Sequence, residues 1–255
     1  LGRPIPLRFV GLQNYYDVLF KDARFWNALK NTFIFISSTI SVQFVVGLIL
    51  ALTLNRMARG RAGVLAALLL PTMVIPVAAG YAWWMLYDVT YGPINYILYV
   101  FGLASQEAPP RWLASPELSL PSIILADIWQ YTPFMMLILL AGLQAIPPEA
   151  YEASQIDGAG RWETFKHITL PLLKPAIAVA LLIRVIDAFK IFDLVYILTQ
   201  GGPGISSEVA SYYAYLHGFK FFRMGYASAL SYIILIIVAV FTTILLKVLR
   251  RGAAT

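Results

Sequence analysis

Four ionisable residues recur at every third position of an otherwise apolar stretch: Arg184, Asp187, Lys190 and Asp193. Their signs alternate, and residues three apart are neighbours on a helix, so each side chain can pair with the next. One unpaired charge at the centre of a bilayer costs about 2.5–3.5 kcal/mol even on lenient insertion scales, so the row cannot face lipid unpaired. It predicts either a polar lining for a solute path or an ion-pair contact between packed membrane subunits.

A polar interval over residues 149–171 is too long and too regular for an ordinary connection. Pro147 and Pro148 predict a helix start just before it, and Gly158 predicts the end of that helix. A second short helical segment follows and stops at Pro171. Small or mildly apolar side chains recur at a spacing of three along the first segment: Ala150, Ala153 and Ile156. The pattern predicts two short helices that meet at glycines and dock another protein.

The composition indicates that these residues belong to a membrane protein. Of the 255 residues, 60% are hydrophobic and only 13% are charged, whereas charged residues make up about a quarter of a globular chain. The net charge of +6 fits the positive-inside bias of membrane proteins, and nucleic-acid binding is not predicted. The chain has no cysteine, and its two histidines, His167 and His217, are far apart. Disulfides are therefore excluded, and no metal site is predicted.

Five apolar runs are long enough to cross a bilayer as helices. They cover residues 31–54, 63–87, 121–143, 175–198 and 227–246. Pro71 and Pro76 predict a kinked or locally unwound helix in the second run. The apolar segment 96–103 is too short to span and is predicted to lie along the interface. The predicted fold is an all-α integral membrane bundle of five transmembrane helices, with residues 1–255 forming one domain.

Basic residues are concentrated in alternate connections. These are Arg56, Arg59 and Arg61 after the first run, Arg161, Lys166 and Lys174 before the fourth, and Lys247, Arg250 and Arg251 after the fifth. The positive-inside rule then puts the interval 149–171 in the cytoplasm. The amino-terminal segment would lie outside although it is basic, with Arg3, Arg8, Lys21, Arg24 and Lys30. We therefore expect a further membrane helix, the first of six, to precede Leu1 in the intact protein.

The residues of the polar interval fit a specific pattern. Glu152-Ala153-Ser154, followed by Gly158, Ile168 and Leu170-Pro171 at the matching spacing, resembles the signature loop of ABC-importer permeases. The one departure is Ser154, where the family pattern has a second alanine. Other stretches resemble the binding-protein-dependent sugar permeases of the maltose and glycerol-phosphate type, namely residues 9–19, 25–35, 132–159 and 187–204. The resemblance covers nearly the whole chain.

The resemblance implies a half-transporter, the first permease subunit of a pair, in the plasma (inner) membrane of a bacterium or archaeon. Its implied partners are a second related permease, two cytoplasmic ATPase subunits that bind ATP and Mg²⁺, and an extracytoplasmic solute-binding protein. The chain itself is then no enzyme and needs no cofactor. The interval 149–171 would contain the coupling helix that docks on the ATPase, with Glu152 contacting a basic residue and Gly158 allowing the turn. The implied coupling residues are Glu152, Ala153, Ser154, Asp157, Gly158, Ile168, Leu170 and Pro171.

Sugar recognition needs aromatic faces for stacking and polar edges for hydroxyl groups. Membrane-embedded residues of that kind are Trp83, Trp84, Tyr87, Asp127, Trp129, Gln130 and Tyr131. They join the charged row as candidates for the substrate pathway, and an acid inside a membrane run, such as Asp127, is a functional hypothesis by default. The tryptophans have an equally simple explanation as interface anchors, because Trp83 and Trp84 lie near the outer end of their predicted helix.

Two other classes of protein fit part of the sequence. A secondary transporter of a small polar solute could also use kinked helices and an intramembrane charge row. The two halves of the chain do not resemble each other, however, and the signature loop would have no purpose in such a protein. An integral-membrane enzyme would need a catalytic site, and the motifs G-x-x-x-x-G-K-[ST], H-E-x-x-H and G-x-S-x-G are all absent from the sequence.

Overall fold

The computed structural model describes residues 9–251, and every regular element in that range is helical. The helices are α1 (Gln13–Phe20), α2 (Ala23–Arg56), α3 (Arg61–Met73), α4 (Pro76–Leu86), α5 (Pro93–Val100), α6 (Pro116–Gln144), α7 (Pro148–Ile156), α8 (Arg161–Thr164), α9 (Leu170–Ala188), α10 (Asp193–Leu198), α11 (Ala210–Tyr215) and α12 (Met224–Arg251). A π-helical segment, Phe165–Thr169, joins α8 to α9, and another, Leu216–Lys220, follows α11. Of the basic residues used to orient the chain, Arg3, Arg8 and the side chains of Arg250 and Arg251 lie outside the described part.

Within the described residues, four helices are long and apolar enough to cross a membrane: Ala23–Arg56, Pro116–Gln144, Arg161–Ala188 and Met224–Val248. The pair α3 and α4 makes a fifth span if it is counted as one broken helix, since it bends by 92° at a short break. The short apolar segment predicted at the interface, residues 96–103, overlaps α5 up to Val100. Trp112 holds this helix by donating from Nε1 to Asn95 Oδ1 at 2.7 Å. The prediction of a five-span helical bundle is confirmed in this sense.

The break between α3 and α4 lies before Pro76, whereas Pro71 is accommodated inside α3. A proline ring disfavours helical backbone in the residue before it, and Ile75 is accordingly extended, with φ −62° and ψ 142°. The predicted kink in the second run is therefore a sharp break, and one of the two prolines causes it. The carbonyl oxygen that the break frees at Val74 accepts a hydrogen bond from Gln130 Nε2 at 2.9 Å.

The fourth predicted run is not one helix. Its span begins earlier, at Arg161, and α9 ends at Ala188, so residues 189–192 form a second break before α10. No proline or glycine marks this break. Turn hydrogen bonds from Lys190 N to Asp187 O and from Ile191 N to Ala188 O close it, and the Ile191 carbonyl accepts the Ser211 hydroxyl of α11. A contact from a distant part of the chain thus stabilises the break, which is why the local sequence did not reveal it.

Two glycines allow the long helices to cross closely. A Cβ on Gly47 of α2 would lie 3.1 Å from Met135 of α6, and one on Gly142 of α6 would lie 2.4 Å from the Cβ of Ala176 on α9. No sequence motif predicted this contact, because each glycine stands alone in its run. The α2–α6–α9 packing that they permit surrounds the main core cluster.

We expect Gly142→Ala to destabilise the protein, because the added methyl overlaps Ala176 and also approaches Leu173 Cδ1 at 2.8 Å. Overpacking of this kind costs about 1–3 kcal/mol. The matched control is Gly63→Ala in α3, where a Cβ would meet nothing within 4 Å. Thermal unfolding in detergent should show a lower Tm for Gly142→Ala and an unchanged or slightly higher Tm for Gly63→Ala. Equal shifts would show that the α6–α9 crossing tolerates a methyl group.

Hydrogen bonds close the end of the bundle where α2 begins. Asp22 accepts from the hydroxyl of Tyr213 at 2.6 Å and from that of Tyr226. Arg24 donates to both carboxylate oxygens of Glu208, at 2.8 and 2.6 Å. Burial raises the pKa of the Asp22 carboxyl, but the hydrogen bonds to it outweigh burial and leave that pKa below its ordinary value. The start of α2 is thereby fixed to α11 and α12.

Candidate functional site

An ionic network crosses the bundle between α2, α6 and α9. Arg184, whose side chain is 1% exposed, donates from Nη2 to Asp127 Oδ2 at 2.5 Å, from Nε to Gln43 Oε1 at 2.9 Å and from Nη1 to Asp187 Oδ2 at 2.9 Å. Gln43 Nε2 donates in turn to Asp127 Oδ2 at 2.8 Å and to its backbone oxygen at 3.0 Å. The guanidinium carbon lies 4.3 Å from the ring centroid of Tyr131. We call Gln43, Asp127, Arg184 and Asp187 the ionic network.

The ionic network differs from the predicted charge row. The pair Arg184–Asp187 forms on α9, as the spacing indicated, but the helix then ends. Lys190 falls in the break and Asp193 begins α10, and neither takes part in an ion pair between described residues. The prediction that each charge pairs with the next was therefore wrong beyond Asp187. The short contact to Arg184 comes from Asp127, on another helix.

Gln43 was missed by the sequence analysis. It is fully buried and satisfies both Arg184 and Asp127. A polar amide near the middle of the first apolar run was the available signal, since such a group needs a partner in the membrane. A search for charged residues alone does not find it.

A cavity of about 80 Å³ opens beside the ionic network, where the two helix breaks meet. We call it the polar cavity. It brings together seven of the predicted pathway residues, Asp127, Gln130, Tyr131, Arg184, Asp187, Lys190 and Asp193, and its wall also includes Pro76 and Phe192. Gln130 is buried, and its Oε1 has no hydrogen-bond partner among the described residues, so an acceptor points to this wall unused by them. The polar cavity thus offers charges of both signs, an amide and two aromatic rings.

The other four predicted pathway residues do not line the polar cavity. Trp83 packs against Tyr87 and Trp129 with ring centroids 5.2 and 5.8 Å apart, and the Tyr87 hydroxyl donates to the Ser122 carbonyl at 3.0 Å. Trp83 is 9% exposed, so it is a core residue and no interface anchor, whereas Trp84 is 50% exposed and can face lipid. These rings stiffen the contact between α4 and α6.

The coupling segment, residues 149–171, folds as the glycines indicated. Helix α7 ends at Ile156, Gly158 takes a left-handed conformation with φ +73°, and α8 begins after Gly160. Backbone hydrogen bonds from Gly158 N to Gln155 O and from Ala159 N to Ser154 O close the turn. Positive φ favours glycine because it has no Cβ. The Gly160 N–H is capped by Glu163 Oε2 at 2.9 Å.

The predicted coupling residues divide into two groups. Glu152, Ala153, Asp157 and Gly158 are exposed, whereas Ser154 is buried and Ile168, Leu170 and Pro171 are half-buried. Ser154 Oγ donates to the Tyr151 carbonyl at 2.7 Å and lies 3.4 Å from Thr164 Oγ1, so it joins the two short helices. The face predicted from Ala150, Ala153 and Ile156 is not a single surface, because Ala150 packs on the core while the other two are exposed. The exposed group is free to meet a partner.

Several broken and unbroken spans around a central polar cavity, with short helices at one end, define a multi-pass membrane transport subunit. The chain belongs to the family described as "binding-protein-dependent transport system inner membrane component", which matches residues 24–253. It is therefore a membrane transport subunit of binding-protein-dependent systems, and the alternative of a secondary transporter is wrong.

Two relatives illustrate the match. The chain is 42% identical over 245 residues to the trehalose/maltose transport system permease protein MalF of Thermococcus litoralis, covering 95% of this chain and 80% of that protein. It is 37% identical over 253 residues to the trehalose transport system permease protein SugA of Mycobacterium tuberculosis H37Rv, covering 99% and 79%. The similarity thus spans most of both proteins.

A solved structure has the same architecture. A chain of a bacterial ABC transporter involved in the import of the acidic polysaccharide alginate superposes with a TM-score of 0.84 at 27% identity, covering 96% of this chain and 85% of that one. The same kind of transporter has been solved in complex with an alginate pentasaccharide-bound periplasmic protein, with a TM-score of 0.81 at 28% identity, covering 96% of this chain and 88% of that one. The resemblance first noted in the coupling segment is confirmed over residues 24–253.

Proposed function

We propose that this chain forms half of the translocation pathway of an ATP-driven importer for a carbohydrate, and that the polar cavity is where the solute passes. The observation that carries the proposal is the convergence of polar residues from α6, α9 and the second break around one cavity. The relatives named for trehalose, maltose and alginate transport support a sugar or sugar-like solute.

The chemistry of the polar cavity suits a polyol. Tyr131 and Phe192 offer ring faces, while Gln130 Oε1, Lys190 and Asp193 offer acceptors and donors that no described side chain occupies. Both helix breaks border the cavity, and backbone freed at a break is tolerated in a membrane where it lines a polar space. Each break can also move without unwinding a whole span, which suits a path that opens and closes.

The proposed partners follow from the family to which the chain belongs. A second related permease completes the path, two ATPase subunits bind ATP and Mg²⁺ and receive the coupling segment, and a solute-binding protein delivers the sugar from outside. The exposed Glu152 would contact a basic residue of the ATPase, and the turn at Gly158 would keep α7 and α8 in place for docking. Ser154, Ile168, Leu170 and Pro171 would support that surface from behind.

The test is transport by the assembled importer. The permease pair and the ATPase should be reconstituted in liposomes with the binding protein, and uptake of labelled trehalose, maltose and longer glucans should be compared with uptake of amino acids. Sugar uptake that requires both ATP and the binding protein is the expected result. Uptake of amino acids alone would overturn the carbohydrate assignment, and uptake without ATPase subunits would overturn the importer mechanism.

We expect Tyr131→Ala to slow sugar transport about threefold to tenfold, because an aromatic stacking contact contributes about 0.5–1.5 kcal/mol. ATP hydrolysis stimulated by the loaded binding protein should change less, since the coupling segment is untouched. The matched control is Tyr81→Ala in α4, a tyrosine that is 60% exposed on the outside of the bundle. Equal transport rates for the two variants would remove Tyr131 from the path.

A further inference from the structure

A second cavity lies behind the coupling segment and has no part in the proposed solute path. It has a volume of about 350 Å³ and is enclosed by the last turn of α2, by α7 and by the segment from α8 to α9. Its wall carries Asn55, Arg56, Ser154, Gln155, Arg161 and Thr164, and no acid of the described part of the chain lines it. We call it the seam cavity. A concave space with two arginines and no carboxylate attracts an anion.

Neither arginine is neutralised by another described residue. No ion pair or side-chain hydrogen bond of the described residues involves the guanidinium of Arg56 or of Arg161. Glu163, an acid close to Arg161 in sequence, accepts the Gly160 N–H at Oε2 and does not line the seam cavity. Two cations therefore share the seam cavity without a counter-charge from residues 9–248.

The donors of the seam cavity match a phosphate group. The planar guanidinium forms paired hydrogen bonds to phosphate oxygens, and hydroxyl and amide groups can satisfy the remaining ones. Thr164, Asn55 and Gln155 supply such groups from three different segments. A single carboxylate would use fewer of these donors.

The position of the seam cavity favours a lipid as the source of the phosphate. The cavity lies where the spans α2 and α6 end and the span Arg161–Ala188 begins, so it is level with a membrane surface. The basic residues put that surface on the cytoplasmic side, where anionic headgroups are concentrated. We propose that the phosphate group of an anionic phospholipid binds Arg56 and Arg161 in the seam cavity and ties the coupling segment to α2.

Bound phosphate would stiffen the contact through which ATP-driven movement reaches the spans. Ser154 already joins α7 to α8 from inside the segment, and Arg56 belongs to a separate span. A ligand that bridges Arg56 and Arg161 therefore links α2 to the coupling segment, which no ion pair between described residues joins. Transport per ATP hydrolysed should then depend on anionic lipid.

The experiment uses the assembled importer in nanodiscs of phosphatidylcholine, with or without phosphatidylglycerol. Lipids retained by the complex are counted by native mass spectrometry, and ATP hydrolysis and transport are measured in liposomes of the same lipids. We expect phosphatidylglycerol to be retained by the unaltered complex and Arg56→Gln with Arg161→Gln to reduce that retention about tenfold or more. Arg59→Gln, a nearby arginine that does not line the seam cavity, is the matched control and should retain it.

Each outcome decides the matter. If inorganic phosphate restored transport per ATP hydrolysed in pure phosphatidylcholine, the site would be supported with a soluble phosphate as its ligand. Equal retention by the double variant, or an equal loss with Arg59→Gln, would overturn it. Loss of the ATPase subunits from the double variant in every lipid would mean that the arginines contact ATPase carboxylates instead. The lipid count does not require sugar transport, so a failure of the proposed function is distinguished from a failure of this site.

Discussion

Arg184→Leu is expected to destabilise the permease strongly, because it breaks the buried part of the ionic network. It leaves the Asp127 carboxylate without its cation and Gln43 Oε1 without a donor. Both residues are 1% exposed or less. Breaking a buried ion pair by removing one partner costs about 3–5 kcal/mol. The yield of folded permease in detergent and its thermal unfolding midpoint should both fall sharply.

A double variant tests whether the loss of stability comes from an unpaired buried charge or from altered side-chain packing. Replacing a buried pair with apolar residues of similar size is often neutral or stabilising. Asp127→Leu combined with Arg184→Leu should therefore recover much of the yield that either change alone loses, although it should not recover transport. A double variant that is as unstable as the sum of the single variants would show that the ionic network contributes through independent contacts.

The second acid of the ionic network, Asp187, provides an internal comparison. Asp187 is 46% exposed at its side chain and borders the polar cavity, so Asp187→Asn leaves no buried charge unpaired. Its effect on folding should be well below that of Arg184→Leu, because partly exposed ion pairs contribute about 0–1 kcal/mol. Equal losses would indicate that Arg184 depends on Asp187 as much as on Asp127.

Hydropathy and proline chemistry predicted most of the fold. Long apolar runs must form helices in a membrane because every backbone group needs a partner, and Pro76 broke its run for a local reason. The break at residues 189–192 was not predictable in this way. It depends on a hydrogen bond between Ser211 and the Ile191 carbonyl, which are far apart in sequence. Elements that tertiary contacts stabilise leave little trace in local patterns.

The candidate site also divides into features that the local sequence predicts and features that tertiary contacts determine. Asp127 and Arg184 were recognisable separately, because each is a charge inside a membrane run, but nothing in their spacing paired them across two helices. Gln43 carried no charge and was overlooked. The coupling segment was more predictable, since positive φ at Gly158 and the caps around it are local requirements. Ser154 is buried, but its hydroxyl donates to the Tyr151 carbonyl, which explains why a small polar residue can stand where the family pattern has alanine.

Gly158→Asp is expected to weaken docking of the ATPase, and with it transport, while leaving the spans folded. A Cβ at Gly158 would meet nothing within 4 Å, so the change adds a charge to an open surface beside Asp157 and Glu152. The backbone cost of positive φ is about 1–2 kcal/mol for ordinary residues and less for aspartate and asparagine. That cost is too small to unfold the bundle, but an added acid would repel a docking surface that receives the exposed Glu152.

Gly60 provides the control for this prediction. It also has φ +73° with nothing within 4 Å of a Cβ, and it lies in another loop at the same end of α2 as the coupling segment. Gly60→Asp therefore imposes the same backbone strain and the same charge away from the proposed contact. For Gly158→Asp only, two measurements should fall at least about tenfold, equivalent to 1.4 kcal/mol. They are the amount of ATPase recovered by affinity pull-down and the rate of sugar uptake. Equal losses for both variants would show that a charge near the membrane surface causes the effect. If Gly158→Asp kept the ATPase bound but lost sugar uptake, the turn would be needed to transmit movement and not to dock the ATPase.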